Sequence, residues 1–249
     1  MTILRLLMSR DNMFLHIDTV KIPCRVEKAQ GKALNFRFKP NEPVLIIRTP
    51  NGKLTPAHHQ AIEKHKNWIL KHYAQSQALY ARREDFLKHL AAGKILYMGE
   101  MYKLIFRQGK NRQVRVEDEQ IIISVTDQMV GDRKEIIYQA LRALAKDHIQ
   151  NRTTTLGEWT DSSFGQIRVK DVRSKWGSCS SKRNLNFNWH LIFLPPTLID
   201  YIIIHELMHL REMNHSPAFW AWVQKFYPSY KEAEKAIRSY EWLIGIMET

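Results

Sequence analysis

Apolar and polar positions change their period several times along the 249-residue chain. From Pro23 to Ile47 the pattern is strand-like. LNFRF and VLIIRT concentrate β-branched and aromatic residues, and the turn signal KPNEP separates them. Residues 56 to about 92 follow a helical pattern, opened by Thr55 as N-cap and Pro56 at the first helical position. Strands are expected at MYKLIFRQ (101–108) and QIIISV (120–125), with a further candidate at RQVRVE between them. A second helix is expected from about Arg133 to Leu156, because Ile136, Ile137, Ala140, Leu141, Leu144, Ala145 and Ile149 recur at helical spacing. QIRVKDV (166–172) reads as a strand. In NLNFNWHL (184–191), Leu185, Phe187, Trp189 and Leu191 alternate with Asn184, Asn186, Asn188 and His190, the pattern of a half-buried strand. Pro195-Pro196 ends it, and another helix starts with Pro196 or Thr197 in its first turn. The sequence contains no internal repeat and no low-complexity tract. The expected class is α+β: an N-terminal, β-rich α/β region over 1–130, then a second domain over 131–249 with a small sheet.

A hydrophobic content of 44% sustains one large domain or two modest ones. No run of eighteen apolar residues occurs, so no membrane-spanning helix is expected. The N-terminal MTILRLLMSRDNMF is not read as a signal peptide, since no small-residue cleavage site follows its short apolar stretch. Two cysteines, Cys24 and Cys179, argue against a secreted disulfide framework and point to a cytoplasmic protein.

The net charge is +13, and it is uneven: residues 151–249 hold 12 basic and 10 acidic side chains, residues 1–150 hold 26 and 15. Without a run of five basic residues, the first reading is a solvated basic surface. An anionic partner, nucleic acid or a nucleotide, is the alternative.

The chemistry concentrates in IIIHELMHLREMNHSPAFW, residues 202 to 220. His205 and His209, four apart, share one helical face, so their nitrogens can converge on one zinc ion. Glu206 points beside the metal position, where a carboxylate can take a proton from water and return it to a leaving amine. Zinc then needs a third protein ligand, and His215 is the candidate. On a straight helix His215 would lie ~9 Å beyond His209 and ~120° off its face. The helix must therefore stop between 210 and 214. Asn214 suits that stop through its tolerance of the left-handed conformation. Ser216-Pro217 supplies the N-cap and first position of a fresh helix carrying Phe219, Trp220, Val223 and Phe226 at core spacing. The competing account is an apolar core helix that carries histidines by chance. Metzincins share the histidine spacing but have glycine where this chain has Glu212, so the turn here is made differently.

The stretch RSKWGSCSSKRNLNFNWHLIFLPPTLIDYIIIHELMHLREMNHSPAFW strongly resembles the YgjP-like family of zinc metallopeptidases, relatives of SprT-like and WLM proteases. The family pattern is matched by Trp176-Gly177-Ser178-Cys179, the following strand, His205 to Leu210, and Asn214 to Trp220. The resemblance extends more weakly upstream, through RTPNGKLTPAHHQAIEKHKNWILKH and GKILYMGEMYKLIFRQ. It implies a zincin-like metallopeptidase domain over 131–249 with an HExxH active-site helix. By that resemblance Zn2+ would be held by His205, His209 and His215, Glu206 would be the catalytic base, and the substrate would be a peptide or protein. The WGSC segment would lie near the site as a loop or edge strand. It either presents backbone groups to an extended substrate, or Trp176 packs and Gly177 makes a turn. Cys179 is not needed as a ligand. His190 is expected at the surface or behind the ligands, and His58 and His59 facing solvent. Tyr201, Arg173 and Lys175 are the candidates for oxyanion stabilisation.

Three functions compete: a zinc-dependent peptidase, a zinc hydrolase acting on a nucleotide phosphate or on nucleic-acid-bound proteins, and a non-catalytic basic module with structural zinc. The last would want a fourth ligand and would leave Glu206 idle.

Overall fold

The computed structural model describes residues 4–8, 13–29, 34–39, 42–126, 132–172, 174–244 and 246–247. They form a mixed α+β fold that divides into two compact units, Met1–Glu84 and Asp85–Thr249. No helix among the described residues is long and apolar enough to cross a membrane.

The first unit is a five-stranded sheet with helical cover. Its strands are β1 (Leu4–Met8), β2 (Met13–Ile17), β3 (Val20–Lys28), β4 (Asn35–Lys39) and β5 (Glu42–Thr49), in the order β1-β2-β3-β5-β4. β3 and β5 run parallel; the other pairs are antiparallel. Leu15, Ile17, Ile22, Cys24, Leu45 and Ile47 point to one side and are sealed by Ile62, Ile69 and Tyr73. Strands β1 and β2 go beyond the sequence reading. The tight β2–β3 turn at Asp18, which adopts φ 53°, lacks the Gly or Asn that usually signals a hairpin. The long helical pattern from 56 resolves into α1 (Pro56–Lys64) and α2 (Lys66–Ala91), interrupted at His65. His58 is half-buried, and its Nδ1 accepts a hydrogen bond from the Thr55 N–H at 3.1 Å, so it caps α1; His59 is exposed.

The second unit contains β6 (Lys94–Tyr97), β7 (Glu100–Gln108), β8 (Gln113–Glu117) and β9 (Gln120–Val125), in the order β6-β7-β9-β8. Helix α3 (Arg133–Trp159) follows. A three-stranded sheet is ordered β10-β12-β11, from β10 (Ile167–Lys170), β11 (Gly177–Cys179) and β12 (Leu185–Asn188). A 3-10 helix, Trp189–Phe193, leads into α4 (Pro196–Met208), α5 (Pro217–Phe226), α6 (Tyr230–Ile237) and a closing 3-10 turn, Arg238–Leu243. The division between the two units falls within α2, between Glu84 and Asp85. Met98 N–H donates to Ile192 O at 2.8 Å and Gly99 N–H to Phe193 O at 3.2 Å, tying the β6–β7 turn to the 3-10 helix.

One expectation is corrected. The strand does not continue to Leu191; it ends at Asn188, and Trp189 to Leu191 belong to the 3-10 helix. The half-buried alternation holds from Asn184 to Phe187 and fails beyond it, where Asn188 is 0% and His190 1% exposed. Asn188 is buried because its whole amide is used. Nδ2 donates to Val172 O at 2.7 Å and Lys175 O at 3.2 Å, and Oδ1 accepts from His190 N at 3.1 Å. A satisfied amide can be buried at little cost, whereas an unsatisfied one cannot.

Candidate metal centre

Helix α4 is apolar almost all round, and Leu198, Ile199, Tyr201, Ile202, Ile203, Ile204, Leu207 and Met208 are buried. Such a helix belongs in the middle of a unit rather than on its surface. Arg152 of α3 clamps it through both oxygens of Asp200, at 2.7 Å each. His205 and Glu206 lie in its last turn, and His209 is its C-cap.

The stop comes earlier than expected and by another device. After Met208 the hydrogen bonds tighten: Leu210 N–H reaches Leu207 O at 3.0 Å and Arg211 N–H reaches Met208 O at 3.0 Å. This i to i+3 closure ends many helices. Asn214 is not among the left-handed residues; its carbonyl instead accepts from Ser216 N–H at 2.8 Å. The restart is as expected: Ser216 Oγ accepts from Phe219 N–H at 3.2 Å, with Pro217 in the first turn of α5.

This stop and restart carry His215 back over α4. The ligand atoms of His205, His209 and His215 all lie within 4.8 Å of one another. His205 and His215 approach with their Nε2 atoms 3.0 Å apart. His209 Nδ1 lies 3.1 Å from Glu212 O, which fixes the ring and leaves Nε2 as the outward lone pair. Phe219, fully buried, stacks on His209 with ring centres 4.4 Å apart. Trp220 stands 5.9 Å from His205 and stacks on Tyr230.

Burial and the two neighbouring imidazoles push His205 down to about 3. Burial also lowers His209, against its own hydrogen bond to Glu212 O, which raises it. Both are therefore neutral near pH 7, the form that ligates metal. Glu206 is 6% exposed. Burial pushes its carboxyl up to about 8, with Lys175 and the backbone N–H of Cys179 pulling the other way.

Strand β11 lies beside this carboxylate. It is an edge strand, as one sequence reading had it, while Trp176 is also buried and packs. Cys179 stands outside the three-histidine group. His190 is not at the surface: burial pushes it down to about 4, and its Nδ1 lies 2.6 Å from Asn188 Oδ1. The Tyr201 ring is 6.0 Å from His205, and burial raises its hydroxyl to about 12. Arg173 lies outside the described residues. Sequence reasoning missed the Asn188 clasp and the contact between Gly177 and Glu206. The only local signal for the latter is a glycine placed inside a strand.

A family model for the YgjP-like metallopeptidase domain matches residues 32–240. No curated protein matches the chain. Among solved structures, the metallopeptidase zymogen abylysin of Pyrococcus abyssi is 22% identical, with 37% of this chain and 93% of that one covered and a TM-score of 0.35. The metallopeptidase zymogen jannalysin of Methanocaldococcus jannaschii is 25% identical, with 36% and 92% covered and a TM-score of 0.33.

Proposed function

The chain belongs to the YgjP-like metallopeptidase family, and from that membership we propose a zinc-dependent peptidase with His205, His209 and His215 as metal ligands and Glu206 as general base. The family makes it a metal-dependent hydrolase of protein or peptide substrates. The identity of the metal and the role of each residue are the proposal. Residues 131–249 are proposed as the zincin-like catalytic domain.

The observation that carries the reading is the convergence of three histidine ligand atoms within 4.8 Å beside a buried glutamate. The donor set fits zinc. Two ligand nitrogens at 2.0–2.1 Å from a tetrahedral ion stand ~3.3 Å apart, close to the 3.0 Å between His205 and His215. Among the described residues the buried Nδ1 of His205 has no hydrogen-bond partner, which leaves Nε2 as the ring's polar contact. When bound, zinc supplies Lewis acidity toward a water and a carbonyl oxygen. Glu206 takes the proton that the attacking water loses and hands it to the departing amine. For that it must be ionised; a dication nearby, Lys175 and the Cys179 N–H all favour the anion against burial.

β11 provides for the substrate. Asn188 N–H bonds Trp176 O at 2.8 Å and Ser180 N–H bonds Asn184 O at 2.9 Å. By the alternation of an antiparallel ladder, Gly177 and Cys179 turn their backbone groups away from β12. The Cys179 N–H goes to Glu206, which leaves the Gly177 N–H and C=O for an extended peptide to pair with.

Glu206→Gln tests the assignment: bound zinc with lost turnover supports it, and unchanged turnover removes it. A second reading rests on charge. Residues 1–84 hold 15 Lys+Arg and 6 Asp+Glu, which favours an anionic partner for that region, nucleic acid or a nucleotide. Binding to DNA or RNA that weakens steeply with salt supports this reading; absence of binding at low salt removes it.

A further inference from the structure

We propose that Gly177 is a positioning residue for Glu206: its missing side chain is what lets the carboxylate stand against β11. The inference rests on Glu206 acting as the base of the three-histidine site.

A glycine inside a strand weakens it, so its presence needs a reason. Backbone conformation is not the reason, because Gly177 lies in an ordinary extended strand and is not among the glycines at positive φ. Space is. A Cβ built on Gly177 would lie 2.7 Å from Glu206 Cγ, 2.8 Å from Oε1 and 3.0 Å from Cδ. Real Cβ atoms do not approach neighbours so closely, so something would have to move.

The strand is poorly placed to give way. Asn188 N–H holds Trp176 O at 2.8 Å, and the Asn188 side chain holds Lys175 O and Val172 O. Trp176 is itself buried. Glu206 must therefore absorb the displacement, although it too is buried. A methyl group at 177 would push the carboxylate off its place beside the histidines and loosen its hydrogen bond from Cys179 N–H. Misplacing a catalytic group by ~1 Å costs on the order of 10² in rate. The histidine ligands are not touched, so metal content is retained.

The test is a cycle of Gly177→Ala and Glu206→Ala, read by thermal unfolding and by turnover of a quenched-fluorescence peptide library. The inference expects Gly177→Ala to lower the Tm in the parent protein but much less in the Glu206→Ala background, where the obstruction is gone. It also expects kcat to fall at least about tenfold with KM and zinc content nearly unchanged. Equal Tm losses in the two backgrounds, no loss in the parent, or an unchanged kcat overturns it. If instead Glu206→Gln turns over normally, the base assignment fails, and the unfolding cycle still decides whether the contact exists.

Discussion

His205 Nε2 and His215 Nε2 lie 3.0 Å apart across ten residues of sequence. Only the stop after Met208 and the restart at Ser216 bring them together. The restart is a single capping interaction, Phe219 N–H to Ser216 Oγ at 3.2 Å. Ser216→Ala is expected to cost about 1 kcal/mol of stability, a Tm loss of ~2–4 °C for a domain of this size. Because His215 precedes the cap directly, zinc affinity should also fall, by up to about fivefold for that free energy. Calorimetry and competition with a chromophoric chelator measure the two together.

Glu206→Gln keeps the shape of the side chain and removes its basicity. Turnover should fall by ~10²–10⁴, the usual contribution of a general base, with zinc content unchanged. Steady-state assays on the zinc-loaded variant check this.

Asn188→Ala should be strongly destabilising. The amide serves Val172 O, Lys175 O and His190 N in a fully buried position. Each buried group left unpaired costs about 1–3 kcal/mol. A loss of at least about 3 kcal/mol is expected from urea unfolding, far more than a surface Asn→Ala change.

His190 predicts an acid sensitivity apart from the metal. Burial lowers it from 6.5 to about 4, with Asp171 acting against burial and Arg142 with it. Between those values the unfolded chain binds the extra proton. This contribution to stability is therefore complete above pH 6.5 and is lost as pH falls toward 4, by up to about 3 kcal/mol. His190→Leu, which cannot titrate, should show a shallower fall in urea midpoint across that window. An identical pH slope would contradict the assignment.

The parts that were legible in the sequence are those encoded locally. QIIISV over 120–125 coincides with β9 because β-branched residues buried in a central strand leave an unbroken signal. Helix α3 follows its apolar periodicity, and Ser216-Pro217 starts α5 where expected. What failed depended on tertiary partners. NLNFNWHL has a strand's alternation as far as Phe187, but the Asn188 clasp turns the chain into a 3-10 helix and buries Asn188 and His190. Asn214 looked like the helix stop, yet the last turn closes by i to i+3 bonds instead. The fit of Gly177 against Glu206 spans two elements, and no local pattern encodes it.

The most direct test of the three-histidine site is zinc content by elemental analysis, on the full chain and on His215→Ala. His215 is the exposed member of the trio, so its loss should spare the fold while removing a ligand. About one zinc per chain, retained through dialysis by the parent and lost by His215→Ala, is the predicted result. A parent protein that takes up no zinc after metal is added back, or a variant that holds zinc as tightly as the parent, would contradict it.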